Sequence, residues 1–166
     1  MPTTKTYIPQ GGTLSADLTF GENTYFKFDA LLSADEKFCG LMEEGIAGGT
    51  IAVGDLCSPS GTSGKWVLAD AGVITAASGD CRGILGICLL AANDNGATKM
   101  LLQGKARSAA FPAFTVNQQL FVSETAGDIT GTIPTSLDHA VRCIGYALTA
   151  EDLYFNPSLD NITRIA

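Results

Sequence analysis

The sequence predicts an all-β fold: a small β-barrel or β-sandwich with pseudo-repeated halves, an extended N-terminal arm and at most one short helix. Three observations predict it. Short apolar runs alternate with turn signals roughly every 8 to 12 residues, the rhythm of a sandwich or barrel. The 19 glycines punctuate those runs instead of forming a linker. The chain also echoes itself, with Leu85, Gly86, Leu89 and Ala91 matched in order and spacing by Ile144, Gly145, Leu148 and Ala150.

Residues 1–30 read as an arm and residues 31–166 as a single β-rich domain. Residues 1–24 mix Thr, Gly and single apolar side chains and read as an arm, not as a core element. They read either as an extended arm laid on a neighbouring subunit or as an unordered terminus. In the arm reading, Tyr7, Ile8, Leu14, Leu18 and Phe20 are the candidate partner-binding residues. Thr24–Leu31 is the first candidate strand. Ser33–Ile46 is the best helix candidate, of about two or three turns, with a loop as the alternative. Ser33 would cap it, Glu36 would complete a capping box, and Gly45 would end it. Phe38, Leu41 and Met42 would then share a face.

Candidate strands follow at Thr50–Ser58, Lys65–Asp70, Gly83–Ala92, Ala97–Gly104, Gln118–Glu124 and Ala140–Leu148. The clearest hairpin joins the third and fourth of these, because Asn95-Gly96 suits the positive φ values of a type I′ turn. A second turn falls at Glu124–Gly131. Leu153–Phe155 returns along the last strand, and Pro157 ends the pairing by removing a ladder donor.

The echo extends beyond the matched heptads. Thr50–Val67 and Phe114–Gly131 share the order apolar pair, polar turn, Leu, hydrophobe, Ser, Gly-containing turn. Met100–Gly104 and Leu153–Pro157 fill the same downstream role. Two such halves build a small barrel with pseudo-twofold symmetry. Gly86 and Gly145 would mark its corners or sites of close backbone approach.

Composition excludes several functions. The net charge is −7, and the ten Lys and Arg are scattered without a run of two. Gripping phosphates takes clustered cations, so nucleic acid is not an expected partner. Hydrophobic residues make up 46% and charged residues 16%, the opposite of a disordered chain. No apolar run approaches a membrane span, and Met1–Gly12 lacks the apolar core of a secretory signal. The five cysteines form no CxxC pair and sit mostly in apolar runs, which points to reduced thiols packed as small hydrophobes.

Catalytic patterns are missing. His139 is the single histidine and sits beside Asp138, with no GxSxG elbow to serve. It reads as a solvated loop residue. Ser60–Trp66 fails the phosphate-loop spacing, and Asn93–Gly96 reads as a hairpin turn, not a calcium loop. The acid pairs Asp35-Glu36, Glu43-Glu44 and Glu151-Asp152 are adjacent, so they do not oppose each other as glycoside chemistry requires. No catalytic, cofactor-binding or metal-ligating residue is assigned, and the chain is not read as an enzyme.

One set of residues carries a resemblance. Phe121-Val122-Ser123, Thr125-Ala126-Gly127, Val141-Arg142, Gly145–Leu148 and Leu153–Ser158 resemble C-terminal segments of small structural proteins of tailed bacteriophages. The upstream stretch from Val53 to Arg107 is similar, more loosely, to capsid decoration (cement) proteins and fibre-base domains. The resemblance covers residues 50 to 158, and residues 1 to 45 have no part in it. It implies a structural virion protein, made in the host bacterial cytoplasm, that binds the outer surface of the phage head. There it would stabilise contacts between subunits of the major capsid protein, as a homotrimer. The alternative it implies is a head-fibre, tail-fibre or tail-tip component, with Trp66, Tyr25 and Tyr154 as sugar-stacking candidates. Tyr146 and Tyr154 otherwise read as packed side chains whose hydroxyls reach a rim or a neighbour.

Overall fold

The computed structural model describes residues 22–23, 27–28, 32–74 and 78–163. Among them there is no helix. The strands are β1 Phe38–Ile46, β2 Leu56–Pro59, β3 Trp66–Leu68, β4 Gly86–Cys88, β5 Ala97–Arg107, β6 Gln119–Val122, β7 Ile129–Thr130, β8 Ala140–Val141, β9 Cys143–Ala147, β10 Asp152–Phe155 and β11 Ile162–Thr163. The arm residues Tyr7, Ile8, Leu14, Leu18 and Phe20 lie outside the described residues. So does most of the candidate strand Thr24–Leu31, of which Lys27 and Phe28 are described as non-strand and exposed.

Nine strands form one antiparallel sheet in the order β3-β2-β4-β5-β10-β9-β6-β7, with β1 paired to β5. That order is a palindrome, as two equivalent halves require. The backbone pairing repeats in detail. Gly54 N donates to Cys88 O and Cys88 N to Asp55 O in the first half. Asn117 N donates to Ala147 O and Ala147 N to Gln118 O in the second. Opposite Gly86 stands Cys57, and opposite Gly145 stands Leu120. Register thus equates Cys57 with Leu120, one place from the match of Leu56 with Leu120 that side-chain type gives. Cys88 pairs Met100 as Ala147 pairs Leu153. Three residues further on, Gln103 and Asn156 hold matching places, and Gln103 Nε2 donates to Asn156 Oδ1 at 3.1 Å.

The sheet curls until its end hairpins touch. Leu56 N donates to Gly127 O at 2.7 Å, Gly127 N to Ala69 O at 2.8 Å, and Ala71 N to Ser123 O at 2.9 Å. The main core inside the curl draws on both halves, including Leu56, Ile87, Leu101, Leu120, Ile144, Leu153 and Phe155. A smaller core of Ala47, Ile51, Cys57, Trp66, Cys88 and Met100 belongs to the first half.

Two expectations need correction. Ser33–Ile46 is not a helix. Glu36 takes φ 55, and Asp35 Oδ1 accepts from Glu36 N and Ala109 N, making a turn before β1. From Phe38 on, the chain pairs β5 over its whole length. Gly40 and Gly45 would each cost a helix about 1 kcal/mol, whereas a cross-strand pairing uses Gly40 for close approach. A Cβ on Gly40 would lie 2.0 Å from Gln103 O, and one on Gly104 would lie 2.2 Å from Cys39 O. The β4–β5 hairpin exists, but its turn is not type I′. Only Asn95 has positive φ, at 65°, and Gly96 N donates to Asn93 O. Ala47 stabilises this wider turn by exchanging hydrogen bonds with Asn95 and Gly96.

Candidate interaction surfaces

A soluble strand normally buries one face. β1 buries neither: Phe38, Leu41, Met42 and Ile46 are all exposed, with Leu41 at 62%. One of its edges is filled by β5. The other has no strand partner among the described residues before Ala47, which bridges to Trp66. Glu43 and Glu44 supply the polar side chains, and Glu44 pairs with Lys99 at 3.2 Å. Among the described residues, this edge of nine residues has no strand partner, and such an edge offers a row of N–H and C=O groups to another chain.

A second apolar surface lies where the closing stretch leaves the barrel. Ile84, Leu85, Leu102, Pro157 and Leu159 line a groove of about 510 Å³. Ile84 is 59% and Leu159 92% exposed. The two cations beside it are already engaged. Arg82 grips Asp80 with Nε and Nη2, each at 2.9 Å. Arg142 is buried and donates to Ser158 O, Cys81 O and Gly83 O. Burial pulls the Arg142 guanidinium below its ordinary value, against the opposing pull of Cys81 and Asp80. Burial alone would push the Asp80 carboxyl up. Hydrogen bonds from the side chain and backbone of Arg82, with the charges of Arg82 and Arg142, outweigh it and hold Asp80 low.

The sequence-selected residues sit as follows. Gly86 and Gly145 are in matching strands. A Cβ on Gly145 would fall 1.9 Å from Tyr154 O, and one on Gly86 would fall 2.8 Å from Met100 Cβ. Tyr146 and Tyr154 are cross-strand partners. Tyr146 is 48% exposed, so it is not the packed side chain expected. Trp66 is 4% exposed in the smaller core and is unavailable for stacking on a sugar. Tyr25 lies outside the described residues.

His139 is not solvated in the way its loop position indicates. Its Nδ1 faces Glu124 Oε1 at 3.5 Å, and its ring borders Gly72. Glu124 accepts from Thr135 N, Ser136 N and Ser136 Oγ, and these hydrogen bonds hold its carboxyl low. The group braces a loop. Cys143 Sγ donates to Gly145 O of its own strand. All five cysteines are free; Cys57, Cys81 and Cys88 are buried and Cys39 and Cys143 partly so. Burial pushes the Cys81 thiol up to about 11 and the Cys57 thiol higher still. Among the described residues no group of three His, Cys, Asp or Glu is placed to hold a metal ion.

β1 is the surface that sequence reasoning missed. Its signal was present in the two glycines of Phe38–Ile46 and in apolar residues spread over both strand faces. In comparisons with known proteins, no family model, curated protein or solved structure matches this chain.

Proposed function

We propose that the chain is a non-enzymatic structural subunit of a tailed-phage virion, a capsid decoration protein on the outside of the head. It clamps neighbouring subunits of the major capsid protein and acts in many copies. The observation that carries this reading is the apolar side chain left uncovered on a small, well-cored barrel: Leu41, Ile84 and Leu159 are 62%, 59% and 92% exposed. Exposed apolar surface gathered round a groove and a strand edge marks a protein-binding face. The resemblance of Phe121–Ser158 to phage structural proteins supplies the kind of partner. Repetition over a shell turns a modest contact into strong attachment through avidity.

Co-sedimentation with expanded empty capsids tests the proposal. The protein is expected to pellet with capsids, and Ile84→Asp/Leu159→Asp is expected to release it while the fold persists. Failure to bind capsids, with recovery on isolated tails, would sink the decoration reading in favour of a fibre or tail-tip role. The exposed Tyr146, cross-strand partner of the half-buried Tyr154, is the observation that favours that second reading, since an accessible aromatic side chain suits carbohydrate contact.

A further inference from the structure

Among the described residues nothing pairs with the outer edge of β1, and the chain carries a segment of matching chemistry. Leu14, Ala16, Leu18 and Phe20 alternate with Ser15, Asp17 and Thr19, a period of two over seven residues. Glycines bound the segment at Gly11-Gly12 and Gly21. Such a strand presents one apolar face, and laid beside β1 it would cover Phe38, Leu41 or Met42 while its backbone completes the ladder.

The route of the chain into β1 indicates which copy's edge it reaches. Leu32 O accepts from Arg107 Nη1 at 3.2 Å, Asp35 Oδ1 from Ala109 N at 2.7 Å, and Lys37 O from Arg107 N at 2.9 Å. The approach to β1 is therefore tied to the end of β5, on the side already paired. To fill its own free edge, the segment would have to round the strand end and double back. A neighbour's edge requires no such return.

We infer that Leu14–Phe20 of one copy adds as a strand to the free edge of β1 in a second copy. Donor and acceptor are different surfaces, so the contact is head-to-tail and closes into a ring where the rotation permits. This deepens the reading of the chain as a multi-copy structural subunit and rests on it. It leaves the Ile84–Leu159 groove for the capsid.

Two full-length variants test it. Leu14→Asp/Leu18→Asp disables the donor, and Leu41→Lys/Met42→Lys disables the acceptor. Sedimentation velocity is expected to show the unaltered protein as an oligomer and each variant alone as a monomer, and circular dichroism is expected to show each variant still folded, with a lower melting temperature where the oligomer is lost. An equimolar mixture should then form a one-to-one dimer, because each variant retains the half that the other lacks. The inference is overturned if the donor variant stays oligomeric, or if the mixture stays monomeric. It is also overturned if the unaltered protein is a monomer whose β1 amides resist hydrogen exchange, which would place the segment on its own edge. Capsid co-sedimentation of the unaltered protein is read separately. Binding without arm exchange removes only this inference, and arm exchange without binding removes only the decoration role.

Discussion

Arg142 holds the barrel's closing stretch to the loop at Cys81–Gly83 through three carbonyl contacts, with no carboxylate in hydrogen-bonding contact. Removing the head leaves those acceptors without a donor, which is costlier than the bonds are favourable. Arg142→Met is expected to lower stability by about 2–4 kcal/mol, seen as a reduced urea midpoint at constant m-value. A change under about 0.5 kcal/mol would show the contacts to be dispensable. Asp80, next to this site, is held low, so it contributes stability above the ordinary carboxylate value near pH 4. That contribution is lost as pH falls through the lowered folded value. Asp80→Asn should therefore flatten the acid limb of the stability profile, and an unchanged limb would refute the link. Thiol chemistry gives a third check at this scale. Cys39 and Cys143 should react with a thiol reagent at neutral pH well before Cys57, Cys81 and Cys88, whose burial and raised thiol values protect them. Rapid labelling of Cys81 in the native protein would contradict its place in the core.

Strands show what the sequence made legible and what it hid. Gly86 and Gly145 were readable as twin positions because a glycine inside an apolar run has few purposes. The price of replacing Gly145 follows from its geometry: φ is 145°, and a Cβ would meet Tyr154 O at 1.9 Å. Gly145→Ala should destabilise by about 3 kcal/mol or more, combining backbone strain with the clash. Gly49→Ala, with nothing within 4 Å of the added atom, is the control and should stay within about 0.5 kcal/mol. Equal melting temperatures for the two variants would refute the close approach. Ser33–Ile46 carries helical signals locally, in Ser33, Glu36, Leu41 and Met42, yet Phe38–Ile46 is a strand. The pairing that overrides them comes from Ala97–Ala106, more than fifty residues away, and no local pattern announces it. The half-buried setting of His139 was hidden for the same reason, since Glu124 and Gly72 reach it through the fold.

At the scale of the whole molecule, the all-β class and the duplicated plan were legible, while the uncovered surfaces were not. Periodicity reports which residues a strand buries only when a second layer covers it, and among the described residues no residue of β1 is buried on either face. The shared core has a testable thermodynamic consequence. Residues from both halves pack together, so the halves should unfold as one unit. Fluorescence of Trp66, in the first half's smaller core, and far-UV circular dichroism should give coincident urea transitions. An earlier Trp66 transition would mean that the halves are separately stable.

Among the described residues, β1 runs beside β5, and β10 has no equivalent companion strand. With the proposed arm exchange, each copy has one receptive edge, on β1, and one complementary segment, Leu14–Phe20. In the language of step-growth polymerisation this is a monomer of functionality two, with one group of each kind. Such a monomer gives linear chains or cycles but never branches or gels, whatever its concentration. A small fraction of Leu14→Asp/Leu18→Asp chains should then act as end-stoppers, shortening the assemblies in proportion to the fraction added.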